Sequence, residues 1–250
     1  MKVDKFRTVI IYIIIILLGL VCLLPLLNIV AISFSSSAAV EGNMVGLIPV
    51  GFSTAAYEKI LEDSQFWHSF LISVERVVLT LIINFVLIVL MAYPLSKTNA
   101  QFRGRNIYAN LMIFAMLFNG GMIPTFLLVK SYGLLNTVWA LVLPGAVPIF
   151  NVILVMNFFA AVPKELEEAA FIDGANPLQV LTKIFIPISK PVLATVSLFS
   201  IVGSWNDFYS GLIYMSKAAY YPLMTYIQSL QINVEDLIKQ GNLSAVVDSA

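Results

Sequence analysis

Long apolar runs separated by short polar segments organise this chain. A helix rises about 1.5 Å per residue, so crossing a hydrocarbon core of about 30 Å takes roughly 20 apolar residues. Five runs meet that length: 8–34, 70–93, 107–129, 137–159 and 188–215. The first follows Lys2, Lys5 and Arg7, as a signal peptide would. It exceeds the roughly 7–15 residues of a signal h-region and ends without a clear small-x-small cleavage site, so it reads as an uncleaved span. Pro25 is expected to bend it or break its outer end. The third run contains Asn119-Gly120-Gly121 and Pro124, and the fourth contains Pro144 and Pro148, so broken helices are expected in both. The fifth carries Pro191 near its inner end, and the segment 216–250 holds no run long enough to span.

Composition agrees with the pattern. Hydrophobic residues make up 60% of the chain and charged residues 11%, against roughly 45–50% and about 25% in soluble domains. The predicted class is an all-α integral membrane protein, a single domain over 1–250. Proline and glycine within spans are tolerated where neighbouring helices or water satisfy the freed backbone groups, which favours a bundle around a polar path. Fourteen basic and fourteen acidic residues exclude a polybasic nucleic-acid binder. One cysteine, Cys22, and one histidine, His68, exclude a disulfide scaffold and a Cys/His metal site.

Charge sets the expected orientation. With a cytoplasmic N-terminus and five spans, the inner segments hold Lys2, Lys5, Arg7, Lys97, Arg103, Arg105, Lys164, Lys183 and Lys190. The outer segments hold only Lys59, Lys130, Lys217 and Lys239, the asymmetry expected of a bilayer protein.

The inner loop between the fourth and fifth runs is the most informative stretch. Pro163 suits a first helical position, and Glu165, Glu167 and Glu168 lie early, where the helix dipole favours them. Gly174 stands where a C-terminal cap belongs, and Asn176-Pro177 opens a second helix. The spacing predicts a short helix over 163–173, about 16 Å long and too polar to span. Such a helix either docks into another protein's groove or merely connects two spans.

Within it, Glu168-Ala169-Ala170, then Gly174, Ile184, Ile186 and Pro187, resembles the EAA signature of bacterial ATP-binding-cassette import permeases, E-A-A-x3-G-x9-I-x-L-P. Ile186 replaces the usual Leu, a swap that keeps volume and hydrophobicity. Phe118-Asn119-Gly120-Gly121-Met122-Ile123-Pro124-Thr125, Tyr132-Gly133-Leu134-Leu135-Asn136-Thr137 and Trp205-Asn206-Asp207-Phe208 are similar to the carbohydrate branch, in particular the smaller permease subunit of maltose-type and oligosaccharide-type importers. The resemblance covers nearly the whole chain from about residue 10.

The resemblance implies the type I importer permease fold in a bacterial cytoplasmic membrane. It implies a coupling helix that seats Glu168, Ala169, Ala170, Asp173, Gly174, Ile184 and Pro187 against a cytoplasmic ATPase. It implies a heterodimer with a second permease, two ATPase subunits that carry ATP and Mg, and an external sugar-binding protein. No cofactor is expected on this chain. The family has a sixth span and a basic tail, which implies that the sequence as given is C-terminally incomplete at Ala250.

Trp205, Asn206 and Asp207 are candidates for the translocation path. A carboxylate at membrane depth is costly unless it meets a partner or water. Asp207 therefore either lines a sugar path, with Trp205 stacking on a sugar face, or pairs with a neighbouring helix. Glu75 and Arg76 either pair with other helices or, the favoured reading, are interface residues without a substrate role; Asn84 reads as a bond between helices, and Cys22 and His68 as ordinary residues. No G-x4-G-K-[ST] loop and no plausible catalytic constellation occurs, so no catalysis is expected of this chain. The competing reading is an ion-coupled secondary transporter, which would need intramembrane ionisable groups and usually an internal repeat. Only Glu75, Arg76 and Asp207 are available, and no repeat is evident.

Overall fold

The computed structural model describes residues 5–239 and is helical, with no strand among the described residues. The chain divides into two compact units, residues 1–67 and 68–250.

The first unit is dominated by α1, Lys5–Ser33, which is apolar on all sides and exposes residues from Val9 to Ile32 around its whole circumference. A helix of that kind belongs in lipid. Of the two effects expected of Pro25, the break does not occur: α1 runs past it to Ser33. Two short helices that the apolar pattern did not announce follow, α2 (Ser37–Glu41) and α3 (Ala55–Glu62). Phe34 stacks on both Phe52 and Tyr57 and ties the polar loop to the end of α1.

The second unit begins within α4, Ser64–Leu95, the longest helix and an uninterrupted apolar span. The next three spans are each made of two pieces. α5 (Arg105–Leu117) and α6 (Met122–Ser131) meet at 109° across Asn119-Gly120-Gly121, where the Asn119 side chain accepts from the Gly121 amide at 2.9 Å. α7 (Val138–Val142), its 3-10 extension through Pro144, and α8 (Ile149–Ala160) bend by 48°. After α9 (Lys164–Ile172), the segment from α10 (Pro177–Val180) through α11 (Ile186–Ile188) meets α12 (Lys190–Asn206) at 84°. Among the described residues, two helices are long and apolar enough to cross a membrane, or up to five if each bent pair is one span. The breaks fall at the proline and glycine clusters, where the backbone loses donors or gains freedom.

One expectation changes in the last third. The fifth span, expected over 188–215, stops at Asn206, and a separate short helix, α13 (Tyr209–Tyr214), follows the break at Asp207-Phe208. Beyond 216, where no run is long enough to span, α14 covers Leu223–Lys239. Residues 240–250, where the chain was expected to be cut short, lie outside the described residues.

The main core joins α4, α8 and α10–α12 through Ile88, Ala92, Val152, Phe159, Phe185 and Val196. Lipid is as apolar as these side chains, so close packing rather than water exclusion holds spans together, and small residues such as the fully buried Ala92 permit it. A second cluster gathers Val129, Ala140, Leu141, Tyr214 and Met215. There α13 lies against the start of α14, and a Cβ on Gly211 would stand 2.1 Å from Thr225 Oγ1. Thr225 is fully buried and its hydroxyl donates to the Phe208 carbonyl, so it has no room to yield. Gly211→Ala is expected to cost about 1–3 kcal/mol through overpacking, read as a lowered midpoint in thermal aggregation of the detergent-purified protein; an unchanged midpoint contradicts this packing.

Candidate functional site

Two places gather the residues singled out in the sequence. The first is the loop around α9. Pro163 is its N-cap and Asp173 its C-cap, one position inside the expected limits at each end. Gly174 then adopts φ +80°, closing the helix, and the Gly174 and Ala175 amides donate to the Phe171 and Ala170 carbonyls. Asn176 caps α10 in a reciprocal box with Gln179, with Pro177 at the first position. Local chemistry alone thus makes α9 an independent helix. Nothing surrounds the point where a Gly174 Cβ would sit, so Gly174→Ala introduces backbone strain without a clash. The expected cost is about 1 kcal/mol, read from increased hydrogen exchange over 169–175; unchanged exchange there contradicts it.

Most of the signature residues are on the surface. Glu168, Ala169, Asp173, Gly174 and Pro187 are exposed, while Ala170 and Ile184 are half-buried and pack on the main core. Beside them stand exposed apolar side chains, Leu166, Phe171 and Ile172, the last 87% accessible. An apolar patch with an acidic rim is the composition of a docking surface. The stretch Leu181–Phe185 takes the wider π-helical turn, which places Phe185 in the core.

One residue of α9 points the other way. Glu167 is buried, and its carboxylate oxygens lie 2.7 and 2.8 Å from Lys97 Nζ, just beyond the end of α4. The Lys97 ammonium also sits 4.1 Å from the Tyr93 ring centroid and 4.2 Å from that of Phe185. Phe185 packs edge-on against both Tyr93 and Phe159. A cation between aromatic faces and a carboxylate is held by charge and ring quadrupole together. Burial pushes the Lys97 ammonium below its ordinary value, and Glu167 offsets part of that push. This ion pair was not anticipated, and nothing local in the sequence announces it.

The second place lies along α4 and α12. Ser69, Ser73, Arg76, Thr80 and Asn84 recur three or four residues apart on α4 and are all buried. Leu71, Val74, Val78, Ile82 and Val86 occupy the exposed side. The helix is therefore inside out, polar toward protein and apolar toward lipid. That spacing is present in the sequence, where only Arg76 and Asn84 of this set stand out singly. Ser73 accepts from the Leu223 amide at 2.8 Å and caps the start of α14. Asn84 Nδ2 donates to Ser200 Oγ at 3.2 Å, the bond between helices expected of it.

Arg76 is not an interface bystander. It is buried, its Nη1 donates to the Asp207 carbonyl at 2.9 Å, and its Nη2 pairs with the Asp207 carboxylate. The second Asp207 oxygen accepts from the Ser210 amide at 3.1 Å, at the start of α13. Asp207 thus pairs with a neighbouring helix and holds the break that ends α12. It also lines a cavity of about 280 Å³, together with Arg76, Thr80, Asn84, Asn151 and Ser204. Trp205 and Asn206 are not in its wall; Trp205 packs edge-on against Phe70 and Asn206 is exposed. Glu75 is exposed on α4 and lines a different cavity with His68. Cys22 is exposed on α1.

Broken spans around a cavity with buried polar groups, and a separate short helix exposing an apolar patch, are the features of a multi-pass membrane permease. Residues 84–246 match the family described as binding-protein-dependent transport system inner membrane component, and the chain belongs to it. It is 42% identical over 214 residues to Protein LplC of Bacillus subtilis (strain 168), covering 86% of this chain and 72% of that protein. It is 39% identical over 241 residues to the polygalacturonan/rhamnogalacturonan transport system permease protein YtcP of the same organism, covering 96% and 83%. The fold matches a chain in the crystal structure of a bacterial ABC transporter involved in the import of the acidic polysaccharide alginate. That match has a TM-score of 0.83 and 34% identity, over 92% of this chain and 81% of the other.

Proposed function

We propose that this chain is the membrane-spanning subunit of an ATP-driven importer that brings an oligosaccharide across a bacterial cytoplasmic membrane. The observation that carries the reading is α9: a rigidly capped helix that exposes Glu168, Ala169 and Gly174 beside Leu166, Phe171 and Ile172, and is anchored from behind by Glu167 on Lys97. Its outer face suits a groove on a separate ATPase, and its inner face is tied to α4, which also lines the polar cavity. Movement imposed on α9 is thereby delivered to a helix that lines the path.

The partners in this reading are a second permease, two ATPase subunits holding ATP and Mg²⁺, and an external sugar-binding protein. The N-terminus and α9 face the cytoplasm. This chain hydrolyses nothing itself; it alternates between two states that the partners favour in turn. Oligosaccharide specificity is supported by relatives such as YtcP and by the amides of Asn84 and Asn151 and the hydroxyls of Thr80, Ser200 and Ser204, which stand among apolar residues in the cavity wall and suit the hydroxyls of a sugar.

The test is reconstitution of the chain with its genomically neighbouring permease, ATPase and binding protein in proteoliposomes. Uptake of galacturonate or rhamnose-galacturonate oligosaccharides should require internal or external ATP on the ATPase side and no ion gradient. Uptake driven by a sodium or proton gradient without ATP would replace this reading with ion-coupled secondary transport.

A further inference from the structure

Three polar atoms in the cavity between α4, α8 and α12 are fully buried and have no hydrogen-bond partner among the described residues: Arg76 Nε, Thr80 Oγ1 and Asn84 Oδ1. Each belongs to a residue more than nine-tenths buried, and all three residues line the same space. An orphaned polar atom at this depth costs several kcal/mol in hydrocarbon, so an occupant that satisfies the set is favoured. The cavity is also too large for a single water, whose share of liquid volume is about 30 Å³. It sits just below the small end of ligand sites, roughly 300–1,000 Å³.

The chemistry of the three atoms narrows the occupant. Arg76 Nε–H only donates, Asn84 Oδ1 only accepts, and the Thr80 hydroxyl does either. Asn84 Nδ2 already donates to Ser200 and both Arg76 terminal nitrogens to Asp207, each keeping one further N–H. The guanidinium charge is balanced in place, so the cavity has no net attraction for an anion. A carboxylate turned toward it would face the Asn84 carbonyl oxygen and the Asp207 carboxylate. A row of hydroxyls fits instead, because each donates once and accepts as well. The three residues stand on successive turns of one face of α4, about 6 Å apart along the axis, so adjacent hydroxyls of one ring can bridge neighbouring positions. The same spacing lets a ring be handed from one turn to the next.

We infer that this cavity is a sugar subsite on the present chain, reading the uncharged, hydroxyl-bearing face of one sugar ring through Arg76 Nε, Thr80 and Asn84. The inference rests on the importer reading and deepens it, since it places substrate contact on this subunit and not only on its partner permease. Water in the cavity would satisfy the same atoms, and that is an outcome of the test.

The experiment uses the complete complex, with partner permease and ATPase, in lipid nanodiscs. Equilibrium binding of two probes, maltotriose and trigalacturonate, is measured for the wild type, Thr80→Val and Asn84→Leu. Thr80→Val keeps shape and breaks no bond between helices, so it guards against a folding defect in Asn84→Leu. Each variant is expected to weaken binding of at least one probe tenfold or more. Affinities within twofold of wild type in both variants overturn the subsite and leave the cavity to water. Binding of neither probe to the wild-type complex overturns it as well. ATP-driven uptake by the wild type in proteoliposomes is measured alongside: its presence with insensitive variants removes only the subsite, and its absence removes the importer reading too.

Discussion

Glu167→Ala is expected to uncouple the complex: ATP hydrolysis continues while sugar uptake falls at least tenfold. The side chains of Glu167 and Lys97 are only 10% and 12% exposed, and the pair bridges 70 positions of sequence to fasten α9 to the end of α4. Removing the carboxylate leaves an ammonium half-enclosed by Tyr93 and Phe185 without its counter-charge. Breaking a buried pair from one side costs about 3–5 kcal/mol, and this site, slightly open to water, should fall near the lower end. The exposed face of α9 is untouched, so the ATPase still docks; what is lost is the strut behind it. The double exchange Lys97→Glu with Glu167→Lys should restore uptake only in part, because the aromatic rings favour a cation at position 97 and oppose an anion. Full uptake by Glu167→Ala would show that α9 moves α4 by another route.

The same pair carries a pH signature. Burial lowers the Lys97 value in the folded protein, so its proton leaves at a lower pH than from an unfolded chain. The sign follows: below the folded value the charged lysine is a net cost of folding, and that cost fades as pH rises toward the unfolded value. The ion pair, however, exists only while the lysine is charged. Coupling should therefore decline as pH rises through the depressed Lys97 value, short of the ordinary lysine range. Lys97→Arg, which stays charged, should flatten that decline. An identical alkaline profile for both proteins would remove Lys97 as its origin.

What the sequence made legible was whatever depends on neighbours in the chain. Pro163, Gly174 and the Asn176-Pro177 pair set the limits of α9 and α10 to within a residue, because capping is decided over four or five positions. The breaks at Asn119-Gly120-Gly121 and at Pro144 and Pro148 were legible for the same reason. At Pro25 the helix continues, since a proline signal does not say whether a helix will end at it. Pairings between distant segments were out of reach. Lys97 and Glu167 lie in different loops, and Arg76 meets Asp207 across 131 positions. Trp205 was expected toward the sugar path because of its type; its ring packs on Phe70 and lies outside the cavity wall, to which α4 contributes Arg76, Thr80 and Asn84. The polar stripe of α4 was present in the spacing, but it becomes visible only when its members are counted as one face.

Asp207→Leu is expected to destabilise the bundle by about 3–5 kcal/mol, because it strands the buried Arg76 guanidinium. At roughly 2–4 °C per kcal/mol for a chain of this size, the thermal midpoint in detergent should fall by on the order of 10 °C. Asp207→Asn should fall less, since an amide oxygen can still accept from the Ser210 amide and from Arg76. The informative protein is the double replacement Arg76→Met with Asp207→Leu. Exchanging a whole buried ion pair for apolar residues of similar volume is often neutral or stabilising, so the midpoint should return to near the wild-type value. Its transport then separates two roles that the geometry combines. The pair closes the end of α12 and also forms one wall of the cavity. If holding the break were its whole purpose, the refastened double variant would transport normally. If the wall must be polar for a sugar to pass, it will be well folded, assembled with its partners and inactive. We expect the second result, because Arg76 Nε faces the cavity without a protein partner among the described residues and methionine supplies no donor in its place. Wild-type uptake by the double variant would reduce the pair to a structural clasp.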